Sequence, residues 1–285
     1  AIARVFARLG EKKNRARARI KFLVAQLGLK EFKRLVDEER KSLPFDERWT
    51  ADLQLETTAR QVFSERSESL GDTSHLDGFD EWYRTNVYRQ RQPGYVVVTV
   101  ALPLGDLTSH QMRALAASNR RHVGTSVRTT VEQNIVLRWV SETDLPQLYT
   151  DLKANGLAEA GAGTITDVTA CPGTDTCKLG IASSRGLAGA LRKQFSGVTG
   201  DLDPSVEGLR IKTSGCFNSC GQHHIADLGF YGVSRTINGY SVPHFQVVLG
   251  GKWVENAGEY GLAIGAVPSK RVPEALERTS DRFVA

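Results

Sequence analysis

The sequence predicts an α+β protein built from more than one module, and three observations carry that expectation. Apolar residues recur at helical spacing over 2–9, 15–27 and 29–41, strand-like runs appear at 94–104 and again from 209 to 249, and all four cysteines lie between 171 and 220. A hydrophobic content of 40% over 285 residues is enough for a substantial core.

Taken in order, the first element is a helix at 2–9, followed by a second over 15–27 that Gly28 ends, since glycine tolerates the left-handed cap. A third, 29–41, sets Phe32, Leu35 and Val36 on one side. From 43 to about 80 the composition turns polar, with Pro44, Gly71-Asp72 and repeated Ser, Thr and Glu, and reads as a connection with little core of its own. Trp82, Tyr83 and Tyr88 then anchor that connection into a core.

Residues 94–104 read as a buried strand that Gly105 breaks, and Thr108 with Gln111 predicts a capping box for a helix reaching about His122. Strands at 126–130 and 135–140 follow, then a helix opened by Thr143 and Pro146 and ended by Gly156. The order is strand, helix, strand, strand, helix. Further on, 209–213 reads as a short strand leading into Cys216 and 225–231 as one leading away. Asn238-Gly239, between 233–237 and 240–249, is a two-residue hairpin signal. Arg210 and Lys212 alternate with apolar residues and either are solvated, the plainer reading, or face a bound group, and Pro273 opens a last helix.

The cysteines form two pairs, Cys171-x5-Cys177 and Cys216-x3-Cys220. Four soft thiolates on two loops point to one soft-metal site. Structural zinc favours shorter spacers than the first pair has, whereas a 4Fe-4S cluster also takes four thiolates and suits the wider, unequal spacing. Pro172 and Gly173 turn the chain, and Gly215, Asn218 and Gly221 permit unusual backbone angles, so that N–H groups can face sulfur. The run 178–191 reads as a helix capped by Thr174, Asp175 or Thr176, its positive end toward the site. Two disulfides, or four unrelated buried thiols, are the plainer alternatives, and clustering argues against both. His223 and His224, just past Cys220, invite a ligand role that four cysteines leave without need.

Formal charge is +5, unevenly spread: residues 1–41 hold 13 Lys or Arg against 5 Asp or Glu. The basic run 12–19 could meet nucleic acid, but aromatics are not interleaved with it and a solvated helix face is the plainer reading. There is no apolar run long enough for a membrane span and no secretory signal core, which places the chain in the cytoplasm.

The order of the two cysteine pairs, their 38-residue separation, and the flanking Pro172, Asn218 and Gly221 resemble the sulfite and nitrite reductases that couple siroheme to a 4Fe-4S cluster. Asn14, Arg15, Ala18, Arg19, Ile20 to Leu23 and Gly28 are similar to the segment closing the first half of that pseudo-duplicated family. The resemblance implies that all four cysteines bind the cluster and that the Cys220 thiolate also reaches the siroheme iron. It implies that Arg128, Thr130, Gln133 and Asn134, together with Asn218, lie against siroheme, although Gln133-Asn134 alone is an ordinary hairpin turn. It also implies six-electron reduction of sulfite to sulfide or nitrite to ammonia, with ferredoxin or a similar donor docking on positive charge.

By the same resemblance, the chain begins partway through such a protein, its C-terminal end is cut, and the basic anion-binding side chains lie upstream. The implied layout is a helical segment 1–42, a linker 43–90, a ferredoxin-like half-domain 91–158 and a mixed α/β siroheme and 4Fe-4S domain 159–285. Two other readings stand beside it: a cluster-binding electron-transfer or scaffold module without its own substrate, and a zinc-stapled nucleic-acid binder.

Overall fold

The computed structural model describes residues 1–14, 17–49, 70–124, 127–195, 202–252 and 258–284, with side chains described to 279. The chain divides into two compact units, 1–63 and 64–285. The expected connection at 50–69, part of the basic run (Arg15, Ala16) and the start of the strand expected at 126 lie outside the described residues.

In the first unit, α1 (Ile2–Leu9), α2 (Ile20–Leu27) and α3 (Leu29–Ser42) pack through Val5, Leu23 and Phe32, with Leu35 and Val36 against them. Gly28, at φ 78°, ends α2 as its sequence position predicts. Lys12, Lys13, Arg17 and Arg19 are exposed, consistent with a solvated basic face.

The second unit opens earlier than expected. Within the segment read as a connection to residue 90, α4 (Phe79–Asn86) and β1 (Val87–Arg89) already belong to its core. Phe79 and Trp82 are fully buried, Phe79 edge-on and Trp82 tilted against the Tyr149 ring, which is why the element holds although its sequence is polar. Tyr88, by contrast, is exposed.

Strands β2 (Tyr95–Val100), β3 (Arg128–Thr129) and β4 (Ile135–Ser141) join β1 in an antiparallel sheet of order β1-β2-β4-β3. Helices α5 (Ser109–His122) and α6 (Leu145–Ala154) close the core, whose centre is Val96, Val98, Val100, Leu137, Leu148 and Leu152. The Thr108–Gln111 capping box is present at the N-terminus of α5.

The second sheet of this unit is mixed. Parallel β5 (Thr169–Ala170), β6 (Ile211–Ser214) and β7 (Leu228–Ile237) continue antiparallel into β8 (Tyr240–Leu249) and β9 (Leu262–Pro268), in the order β5-β6-β7-β8-β9. Asn238 and Gly239 both have positive φ and form the hairpin turn between β7 and β8. One face is covered by α7 (Ser184–Phe195) and α9 (Val272–Val284), with the one-turn α8 (Pro204–Glu207) beside them.

Two expectations are corrected here. The helix after Cys177 begins at Ser184, not directly after the cysteine, because the Ile181 and Ala182 amides are drawn onto the carbonyl of Gly215 (2.8 and 3.1 Å) and the intervening chain cannot coil. Lys212 is buried, at 3% exposure, rather than solvated, and Arg210 is largely covered. Thr213 hydrogen-bonds the Ser184 carbonyl and so faces α7; strand alternation turns Lys212 and Ser214 to the opposite face.

Candidate metal centre

Both cysteine pairs leave the sheet at the same place. Cys171 follows β5 and Cys216 follows β6, and the parallel pairing of Ala170 with Thr213 brings the carboxyl ends of the two strands side by side. The Cys171 amide donates to the Thr213 carbonyl at 3.2 Å. Carboxyl ends of neighbouring parallel strands are where sheets of this kind hold ligands.

The two loops interlock. The Gly215 amide donates to Cys171 Sγ at 3.1 Å, so a backbone donor from the second loop already faces a sulfur of the first. A methyl built on Gly215 would stand 2.6 Å from Gly173 Cα, and one on Gly221 would stand 2.0 Å from the Thr213 carbonyl oxygen. Only glycine permits backbone to approach backbone so closely. Ser219 and Gln222 take positive φ to complete the turn around Cys220.

All four cysteines are free thiols, and each loop contributes one buried and one exposed sulfur: Cys171 and Cys216 are buried, Cys177 and Cys220 exposed. Among the described residues no three His, Cys, Asp or Glu side chains are grouped closely enough to hold one metal ion. The first loop is fastened from α7: Ser184 Oγ donates to the Cys171 carbonyl at 2.7 Å and lies 3.4 Å from its sulfur. Leu179, two residues past Cys177, and Phe217, between Cys216 and Cys220, are exposed apolar side chains.

His223 has no water contact and stacks on Tyr231 with centroids 4.6 Å apart. Burial, with His224 adding to it, pushes its pKa down to about 4, so it is neutral near pH 7. His224 lies against Tyr260. The histidine pair packs the wall behind the second loop.

The polar motif of the first sheet sits at the seam between the two sheets of this unit. Gln133, at φ 69°, pairs both ends of its amide with the backbone of Ala170, at 2.9 and 3.1 Å, immediately before Cys171. Asn134 is buried, donating to Asp167 at 2.8 Å and accepting from the Leu102 amide at 2.9 Å. These two amides, expected against a cofactor, are thus engaged within the protein, because the turn that carries them abuts β5.

Thr130 lines a cleft of about 220 Å³ with Glu132, Asn134, Asp167 and Arg210. Arg128 is exposed on the strand before it, and Asn218 is exposed between Cys216 and Cys220. Burial raises the pKa of Asp167, opposed by the Gly163 amide and the Asn134 side chain, and lowers those of Arg210 and Lys212, opposed chiefly by Asp167 and Glu132 respectively. Lys212 Nζ reaches Gln222 Oε1 at 3.4 Å. Sequence reading missed Ser184, for which there was no signal.

Fold and loops together define an α+β protein that presents four thiols at the carboxyl end of a mixed sheet. The nitrite and sulphite reductase 4Fe-4S domain family matches residues 1–45 and 161–284, and the nitrite/sulfite reductase ferredoxin-like half domain matches 88–155. The chain belongs to the nitrite and sulphite reductase 4Fe-4S domain family.

Its relatives include the ferredoxin–nitrite reductase of Synechococcus elongatus, 26% identical over 98% of this chain and 49% of that protein. Sulfite reductase [ferredoxin] 2 of Mycolicibacterium paratuberculosis is 27% identical over 100% of this chain and 47% of its own length. The solved structure of the Mycobacterium tuberculosis NirA protein is similar at a TM-score of 0.66 and 26% identity, covering 96% of this chain and 46% of that one. The chain spans about half the length of the curated relatives it matches. Among the described residues, no helix is long and apolar enough to cross a membrane.

Proposed function

We propose that this chain is the cluster-bearing half of a siroheme and 4Fe-4S reductase that converts sulfite to sulfide or nitrite to ammonia, with ferredoxin as electron donor. The observation that carries the reading is the interlocking of the two cysteine loops at Gly173 and Gly215, with four free thiols on them. A four-iron cage is bulkier than a single ion and its thiolates stand farther apart, which suits sulfurs carried on two touching loops that, among the described residues, do not converge on one point.

Cys171, Cys177, Cys216 and Cys220 would hold the cluster, and Cys220, exposed at the end of the second loop, would be the thiolate shared with siroheme. Arg128, Thr130 and Asn218 are polar side chains that would meet its carboxylates. When bound, the two cofactors supply electron storage and the metal at which the anion is reduced. The protein's part is charge and position. The Gly215 N–H stabilises negative charge on Cys171 sulfur, and the glycine contacts hold the loops in one arrangement. The basic surface of residues 1–41 suits docking of an acidic donor, and four unpaired thiols suit a reducing compartment such as the cytoplasm.

Anaerobic reconstitution with iron and sulfide tests this. Four irons and four sulfides per chain with a broad visible shoulder are expected; uptake of one colourless zinc per chain in their place overturns it. Siroheme bands on adding siroheme to the full-length protein separate the reductase from an electron-transfer module, which would carry the cluster alone.

A further inference from the structure

Arg185, the second residue of α7, touches three groups from two different parts of the 64–285 unit. Its Nη1 donates to the Leu104 carbonyl at 2.9 Å and its Nη2 to the Asp106 carboxylate, both in the turn after β2. Its Nε stands 3.3 Å from Asp175 Oδ2, inside the Cys171–Cys177 loop. A guanidinium is a rigid fork, so these three partners are held at fixed mutual positions.

The partner turn is shaped for that grip. Leu104 and Gly105 take consecutive positive φ values of 58° and 71°. Leucine in that region is strained and persists only where surrounding contacts over-determine it. The contacts are present: Leu104 packs against the core under the second sheet, and Gly105 lies against Gln133, whose amide is bonded to Ala170. A leucine placed in this conformation beside a side chain that spans its turn and the first cysteine loop is an observation independent of the ion pairs.

We infer that Arg185 is the positioning residue of the first cysteine loop, clamping Asp175, and with it the backbone around Cys177, to the turn at Leu104–Asp106. The second loop is held differently, with Gly221 against the Thr213 carbonyl of β6 and Gly215 against Gly173 and the Ala182 carbonyl. Within the loop the backbone hydrogen bonds are those of a short 3-10 turn, Gly173–Asp175, and of the Cys177 amide to the Gly173 carbonyl, and its close backbone contacts are at Gly173, away from Cys177. Two soft ligands at the ends of a loop of that length need an outside anchor to be pre-set before metal arrives.

The inference deepens the cluster reading, but its test does not depend on a cluster. Amide hydrogen exchange is measured on the cluster-free chain for Arg185→Met, Arg185→Lys and Asp175→Asn. Exchange over residues 173–180 is expected to quicken about fivefold or more in Arg185→Met and Asp175→Asn, less in Arg185→Lys, and no further in the double variant. Amides of the β7–β8 hairpin should be unchanged. Arg84→Met, which breaks the bidentate Arg84–Glu207 pair elsewhere in the same unit, should leave 173–180 as in the parent.

Equal exchange over 173–180 in Arg185→Met and parent overturns the inference, as does quickening spread evenly over both loops and the hairpin. In the reconstituted protein, Arg185→Met should release iron to a chelator several-fold faster than the parent. A parent that takes up no cluster sinks the functional reading and leaves the exchange result to decide the clamp by itself.

Discussion

The two cysteine loops do the same work by different means. The 171–177 loop adds to its backbone contact at Gly173 two side-chain anchors from outside, Ser184 on the Cys171 carbonyl and Arg185 on Asp175, whereas the 216–220 loop is fastened by backbone pressed on backbone at Gly215 and Gly221. Side-chain anchors can be weakened by degrees. A glycine contact either fits or does not, so the second loop should fail abruptly and the first gradually.

The sharpest test of that difference is the sulfur that only one loop would offer to both cofactors. In the full-length protein, Cys220→Ser is expected to abolish magnetic coupling between siroheme and cluster, read by Mössbauer spectroscopy; coupling as in the parent would remove Cys220 from that role. Next in size is Gly221→Ala, whose methyl would meet the Thr213 carbonyl at 2.0 Å. It should cost about 3 kcal/mol or more in denaturant unfolding and abolish cluster uptake. Unfolding and uptake as in the parent would show that the second loop yields.

Acid should weaken the wall behind the second loop first. The His223 imidazole is held to a pKa of about 4 against an ordinary 6.5, so the unfolded chain binds more protons between those values. Stability of the cluster-free chain is therefore full above about pH 6.5 and falls toward pH 4, by roughly 2–3 kcal/mol from this group. His223→Phe, which keeps a ring against Tyr231, should flatten that part of the pH profile; an unchanged slope would assign it to other groups. The smallest effect belongs to the first loop: Ser184→Ala, removing one hydrogen bond to the Cys171 carbonyl, should cost about 1 kcal/mol, measured by the same unfolding curves. A loss as large as that of Gly221→Ala would erase the distinction.

Much of this was readable from local chemistry. The Thr108–Gln111 box, the Gly28 stop and the Asn238-Gly239 hairpin each depend on a few neighbouring residues, and each stands where its residues place it. Where reading failed, a distant partner had intervened. The run after Cys177 has helix-forming composition, but its amides at Ile181 and Ala182 are captured by Gly215, far along the chain. Lys212 alternates as a surface strand residue would, yet other parts of the unit cover its strand and hold it at 3% exposure.

By itself the sequence determined most of the elements, the two thiol pairs and their spacing, because capping, turn chemistry and side-chain periodicity act within a few residues. Tertiary structure alone decided that the pairs meet, that Gln133 and Asn134 serve the seam between the sheets, and that Arg185 reaches a cysteine loop and a distant turn at once. Those outcomes depend on which strand ends lie side by side, and parallel pairing of β5 with β6 is a contact between residues about forty positions apart that no local pattern encodes.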